Sequence, residues 1–432
     1  MKKRFIFILC GLFLCAGTIA ATDYNVLQLG VVGDGKTLNT QSLQSAIDAL
    51  HAKGGGQLYF PAGRYLTGSL QLKSNVTLYL EKEAMLLGST SPYDYPGFST
   101  EKELKVNNDH FDQALIYAEE AENIGITGEG CIDGQGRELA LTIDSLHHTG
   151  ELVDKHYNTY RKRPNTRPKL LFMRNCRKVE LRKTNFRSGA AWGLSFSLCV
   201  DLTIDSLHVE NRAYWNNDGI DISDCKDVRI SNCFINSADD GICLKSHNRG
   251  AWNDRVSISN CYIISSASAI KFGTESLGGF KNVTIDNIRI KDTFRSAIAI
   301  ESVDGAEIEN VKLENIEIVC PGRATRGMAY MSVSRLKDVP ENEKGYPEFT
   351  MFEELPSWGF YVRHVKGIQM HNVKLRLQED DFRPAFVFDR VSDVRLSDIS
   401  LPENKKAGQV VLRQTSLQSA DNAVKEYVRE VE

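Results

Sequence analysis

Short apolar runs that recur at a nearly fixed step constrain this chain more than anything else in it. Runs of alternating apolar residues begin near Val179, Leu202, Val228, Val256, Val283 and Ala306, at steps of 23, 26, 28, 27 and 23 residues. Earlier turns show at Val76 and Ile124, later ones at Ile368 and Val394. A repeat of this length with two or three short strands cannot bury its apolar side chains alone, but stacked repeats share one core. The spacing therefore predicts an all-β chain wound as a parallel β-helix, a solenoid with one coil per repeat. A second register agrees. Asn232, Asn260, Asn287, Asn310 and Asn372 follow the same strand in successive coils, where stacked amides hydrogen-bond along a ladder. The competing architecture is a β-sandwich, which a repeat running in one direction disfavours.

The ends and interruptions of the repeat set the domain plan. Residues 1–21 read as an export leader, with basic Lys2, Lys3 and Arg4, an apolar stretch from Phe5 to Leu14, and small Ala20 and Ala21 for cleavage. Cys10 and Cys15 follow leucines, which argues for a cleaved leader over a lipid anchor. Residues 22–432 then form a single domain, exported to the periplasm or the medium and monomeric. Its first part, about 22–65, reads strand–helix–strand. Asn39 or Thr40 caps a helix over Ser42 to Ala52 with Leu43, Ala46, Ile47 and Leu50 on one face, which suits a lid on the open end of the core. Two segments break the period, 134–168 and 321–358, and both are expected as loops on the binding face. The first ends in the basic cluster Arg161 to Lys169; the second carries Pro340, Glu343, Tyr346, Pro347, Glu348, Phe349 and Met351.

Charge and cysteine content exclude some functions. The formal charge is −4, and −7 once the three basic leader residues are removed, which disfavours a nucleic-acid partner. Eight cysteines remain beside strand patterns, where Cys serves as a small buried hydrophobe; one or two disulfides are the alternative. No pair has zinc-site spacing, no metal site is indicated, and nothing points to an organic cofactor.

Chemistry concentrates between Asn216 and Ser246. The apolar runs Ile220/Ile222 and Ile242/Leu244 lie 22 residues apart. Asp218 precedes the first, and Asp239 and Asp240 precede the second. If that step is one coil, three carboxyls meet at one strand edge. Crowding raises the pKa of at least one, and paired carboxyls of unlike ionisation are what glycoside hydrolysis needs. With Ile220/Ile222, Ile242/Leu244, Ile270/Phe272 and Ile298/Ile300 inward, two outward rows follow: Asp221, Cys243, Lys271, Ala299, and Ser223, Lys245, Gly273, Glu301. Both rows are expected to be exposed.

The motif Asn216-Asn217-Asp218-Gly219, with Asp239-Asp240 one coil later, resembles glycoside hydrolase family 28, the polygalacturonase family. The strand–helix–strand start and the coils up to about residue 400 are similar to it as well. The resemblance implies a right-handed parallel β-helix that hydrolyses a pectic glycan with inversion. Asp239 would be the general acid, Asp218 and Asp240 would hold and deprotonate the water, and Asn216 would stand among the substrate contacts. The chain departs from the family in the next coils. Ala267-Ser268-Ala269-Ile270-Lys271-Phe272-Gly273 holds Ser268 where the family has histidine, and Ala299-Ile300-Glu301 stands where an Arg-Ile-Lys pattern grips the substrate carboxylate. Lys245 and Lys271 are the expected replacements, with Glu275, Glu301 and Arg363 as further substrate-binding candidates. Trp192 and Trp215, one coil apart, could stack a sugar or plug a turn of the core. The two interruptions of the period would close the groove and favour exo action. The alternatives are a Ca²⁺-dependent polysaccharide lyase on the same fold and a non-catalytic carbohydrate-binding protein.

Overall fold

The computed structural model describes residues 22–96, 113–151, 167–302, 305–323, 333–339, 341, 355–402 and 408–432. The leader, the basic residues Arg161 to Arg163, and the seven residues singled out in the second interruption, Pro340 to Met351, lie outside the described residues.

Parallel strands stack coil upon coil into two sheets of twelve and nineteen strands. The twelve-stranded sheet keeps chain order from Leu70–Gln71 to Val428–Val431. In the larger sheet, single strands such as Asn253–Ser265, Phe280–Lys291, Ile308–Cys320 and Val365–Leu377 cover most of the rest of a coil. The architecture is the right-handed parallel β-helix that the sequence predicts. Ile220, Ile242, Ile270 and Ile298 stack in register, as do Ile222, Leu244, Phe272 and Ile300, and all eight are fully buried inside the tube. The two-residue strand period puts them there, because only one face of each strand can reach the shared core.

Each long strand bends at single left-handed residues. Asn260, Asn287, Asn315 and Asn372 adopt φ of 51–56°, the left-handed region that asparagine tolerates better than other residues with a Cβ. Their amides bond from coil to coil in two runs: Asn260 donates to Asn232 at 3.3 Å and Asn287 to Asn260 at 2.8 Å, while Asn372 donates to Asn315 at 2.7 Å and Asn315 turns to Asp286 at 2.8 Å. The expected ladder needs one correction. Asn310 belongs to a second column, donating to Asn282 at 2.7 Å, while Asn282 donates to Asp254 at 2.8 Å. Each of these strands has two left-handed positions five residues apart, and spacing alone did not separate them.

Helix α1 (Thr40–Ala52) buries Leu43, Ala46, Ile47 and Leu50 as expected. Asn39 does not cap it through its side chain; the amide instead ties the preceding loop, accepting from Val32 N at 2.8 Å and donating to Val32 O at 2.9 Å. The first interruption, expected as a loop, contains helix α2 (Gly136–Thr149), which buries Leu139, Ala140 and Ile143. These three recur at helical spacing, a signal hidden by the polar composition around them. The eight cysteines from Cys131 to Cys320 are free thiols, and seven are buried. In the second interruption, Leu336, Val339 and Leu355 pack on Ala299, Tyr361, Val387 and Val411. They cover the outer face of the twelve-stranded sheet over its later coils.

Replacing Asn287 by Val places a β-branched side chain at a left-handed bend and breaks the amide column. Urea unfolding of Asn287→Val is expected to show a loss of about 1–2 kcal/mol from the backbone conformation alone. An unchanged midpoint would show that the bend carries no such cost.

Candidate active site

The carboxyls meet because two turns enter the sheet side by side. Gly219 N donates to Asp240 O at 2.9 Å, and Asp239 N donates to Asn217 O at 3.2 Å. Asp218 therefore lies beside Asp240, and Asn217 beside Asp239, across one coil step. Glycine follows each acid for steric reasons. A Cβ on Gly219 would stand 2.5 Å from Gly241 O, and one on Gly241 would stand 2.5 Å from Ala269 O. Asn217 is fully buried and anchors its turn, donating to Gly189 O at 2.9 Å and Ala191 O at 2.6 Å. Asn216 bends the chain at φ 55° and accepts from Arg167 Nη2 at 3.0 Å.

Cations interleave with the acids. Lys245 Nζ stands 2.6 Å from Asp221 Oδ1 and 3.2 Å from Asp218 Oδ2, and 3.5 Å from the Trp192 ring centroid. Lys271 Nζ stands 3.1 Å from Asp240 Oδ2, and Ser268 N donates to Asp240 Oδ1 at 3.2 Å. Arg295 Nη1 lies 3.8 Å from Asp239 Oδ1. Four carboxyls thus face three cations, and full ionisation would leave a net negative charge in a site shielded from water.

The environment resolves this unevenly. Burial raises the Asp239 pKa, the neighbouring Asp240 raises it further, and Arg295, Lys271 and Lys245 only partly oppose them. Burial pushes Asp240 the same way, but Lys271, Arg295 and Lys245 outweigh it and hold Asp240 below the usual range. Asp218 is raised well above it by burial, against Lys245, with Asp221, Asp239 and Asp240 adding to the rise. Asp239 has 26% of its side chain exposed, against 5% for Asp218 and for Asp240. Consecutive residues thus sit in unlike surroundings, the more exposed one favouring its acid form and the buried one its anion.

The outward rows differ from expectation. Asp221, Cys243, Lys271 and Ala299 are all buried rather than exposed, as are Ser223, Lys245, Gly273 and Glu301. Ion pairing closes the middle of the rows, and apolar residues of the second interruption cover Ala299. Lys245 and Lys271, expected on the substrate, are engaged with the acids. Arg363, also expected there, is fully buried between Asp389 (2.5 Å) and Glu341, with Arg413 on the other Asp389 oxygen at 2.8 Å. That geometry makes it a structural cation, not a substrate ligand. Glu275 is buried against His247. Glu301 is buried with Oε2 lacking a hydrogen-bond partner among the described residues, and burial lifts its pKa to about 7, against Lys271. Trp192 carries the Lys245 ammonium on its ring, whereas Trp215 is 72% exposed. Reading the sequence for acids missed Arg295 beside Asp239 and Arg167 behind Asn216. Arg295 was findable, since its N–H donates to Ala267 O in the turn column that also holds Asp239.

Residues 56–320 match the family model for glycosyl hydrolases family 28. The probable polygalacturonase of Vitis vinifera is 30% identical over 311 residues, covering 67% of this chain and 57% of that protein. The exo-poly-alpha-D-galacturonosidase of Dickeya chrysanthemi is 27% identical over 248 residues, covering 50% of this chain and 41% of that protein. The chain thus spans about half the length of these curated relatives. The family 28 exopolygalacturonase of Yersinia enterocolitica superposes with a TM-score of 0.66 at 21% identity, covering 95% of this chain and 77% of that one, a likeness of fold.

A raised carboxyl pKa makes folding weaker as pH rises, because the unfolded chain releases the proton first. For Glu301 the window runs from 4.5, its ordinary value, to about 7. Across it, wild type is expected to lose on the order of 3 kcal/mol, at about 1.4 kcal/mol per pKa unit. Glu301→Gln should escape that loss when urea unfolding is compared at pH 5 and pH 8, and equal losses in both proteins would refute the assignment.

Proposed function

The chain belongs to the glycosyl hydrolases of family 28, and from that membership and its site we propose that it hydrolyses galacturonosidic bonds of a pectic glycan with inversion. The observation that carries this reading is the unlike surroundings of two consecutive acids: Asp239 is partly exposed with its pKa pushed up by burial, and Asp240 is buried against Lys271 with its pKa held down. Asp239, its pKa raised by burial and its side chain partly exposed, acts as the general acid toward the oxygen of the leaving sugar. Asp240, kept anionic by Lys271, takes a proton from water on the other face of the ring. Asp218 orients that water from the neighbouring coil and shares the Lys245 ammonium with Asp221. Inversion needs room for that water between the proton donor and the groups that hold it.

Substrate choice follows from which cations remain reachable. Lys245, Lys271 and Arg363 are committed to acids of the protein. Arg295 keeps a quarter of its side chain exposed beside Asp239, which supports it as a contact for a uronate carboxylate. Exo action is supported by the apolar cover over the later coils, which limits the groove on one side of the acids. A Ca²⁺-dependent lyase is disfavoured, because ammonium groups already stand against Asp218, Asp221 and Asp240.

Polygalacturonate, rhamnogalacturonan backbone and their oligosaccharides are the substrates to test. Saturated monosaccharide should appear first from one of them, with the inverted anomer seen by NMR before mutarotation. Asp239→Asn should lower kcat by about 100- to 10,000-fold, the usual contribution of a general acid. Unsaturated products, or cleavage that survives the substitution, would refute the reading. Removing the Lys271 charge with Lys271→Met should raise the Asp240 pKa and move the acidic limb of the pH–rate profile upward by about 1–3 units. A limb that stays in place would exclude Asp240 as the base.

A further inference from the structure

A second constellation lies on the same outer face and takes no part in the scheme above. Ser223, His247 and Glu275 come from three successive coils and line up across them. His247 Nδ1 is hydrogen-bonded to Glu275 Oε2, and His247 Nε2 lies 3.1 Å from Ser223 Oγ. A carboxylate only accepts, so Nδ1 carries the ring proton and Nε2 offers its lone pair to the Ser223 hydroxyl. That is the arrangement of a hydroxyl nucleophile, a general base and a carboxylate that fixes the tautomer of the base.

The backbone is deformed to make it. Neighbouring strands of this sheet pair residue for residue, yet between Leu244 and Ser246 the register slips. One residue on the strand Ile242–Ser246 faces three on Ile270–Ser276. Gly273 takes φ 92° in the slip, a conformation costly to any residue with a Cβ. The two extra residues carry Glu275 to the His247 ring. Bulges of this kind re-aim side chains beside active sites. The backbone of the His247 turn is separately pinned by Asp224, which accepts from His247 N at 3.0 Å and Asn248 N at 3.1 Å.

We propose that Ser223, His247 and Glu275 form a second catalytic centre that hydrolyses a small carboxylic ester borne by a sugar in the groove. Ser223 Oγ attacks the ester carbonyl while its proton passes to His247 Nε2. The C–O bond to the alcohol breaks, and the alcohol leaves with that proton. Water gives a proton to the same nitrogen and attacks the acyl-Ser223. The bond to Oγ then breaks, the carboxylic acid departs, and Oγ regains its proton. Lys245, paired in register with Ser223, contacts Asp218 through its ammonium, so one glycan can lie along both centres. The sugar as carrier rests on the function proposed above; ester hydrolysis by the triad does not.

The test uses the full chain with three esters: p-nitrophenyl acetate, O-acetylated pectic oligosaccharide and methyl-esterified pectic oligosaccharide. Ser223→Ala and His247→Gln should each lower p-nitrophenyl acetate hydrolysis by at least about 100-fold. Ser197→Ala, at the in-register neighbour of Ser223 one coil away, should leave it unchanged. A fluorophosphonate should label wild type at Ser223. Release of acetate or of methanol from the oligosaccharides then identifies an acyl group on a hydroxyl or the ester of a uronate as the substrate. Wild type that neither hydrolyses p-nitrophenyl acetate nor takes the label at Ser223 overturns the triad, as does a rate that survives in Ser223→Ala. Hydrolysis of p-nitrophenyl acetate with neither oligosaccharide cleaved overturns the sugar as carrier.

Discussion

Backbone hydrogen bonds from coil to coil hold neighbouring strands in register, and strands in register have no freedom over which side chains stack. On the inner face this is simple, because aliphatic residues stack on aliphatic ones. On the outer face the same rule brings acids within reach of acids. The chain meets it by placing lysines one coil further on. Lys245 answers Asp218 and Asp221, and Lys271 answers Asp240. Carboxylates kept from water are tolerable only with such partners. The site is therefore a property of the stacking as much as of any single residue. It is built at the edge where turns enter the sheet, and the turns must be small enough to nest.

The outer face of the twelve-stranded sheet divides into unlike regions. Over the early and middle coils it carries acids, cations and aromatic rings. Over the later coils, Ala299, Tyr361, Val387 and Val411 form an apolar bed under Leu336, Val339 and Leu355. Arg363, Asp389 and Arg413 form a buried charge ladder in the same later coils. A solenoid without insertions would leave a uniform trough. Here apolar residues cover the coils that follow those of the acids.

The tube was legible in the sequence because its signal repeats. The inward residues followed from the two-residue strand period, and the meeting of Asp218 with Asp239-Asp240 followed from one coil step. What stayed hidden were features that depend on side-chain reach or on local exceptions. Lys271 and Glu301 are on the predicted strand faces, yet they are buried, Lys271 by its pairing with Asp240, and the cover that distant residues such as Leu355 give Ala299 beside them leaves no periodic trace. Arg363 looked like a loose cation until Asp389, 26 residues later, took it up. The register slip at Gly273 was invisible to an alignment of apolar runs, which assumes equal strand lengths. Asn310 and Asn315 differ only in which of two bends they occupy, and both bends accept asparagine.

The asparagine column also acts on the chain before it folds. Glycine would take the left-handed bend without steric cost, but it would widen the ensemble of the unfolded chain. Each asparagine at such a bend narrows that ensemble by about 0.4–1 kcal/mol relative to glycine, the usual effect of a side chain on backbone freedom. Asn232, Asn260, Asn287, Asn315 and Asn372 repeat the gain coil after coil. A long tube with few helices and no disulfide among its eight described cysteines thereby lowers the conformational entropy it must lose, at the corners where its backbone is most unusual.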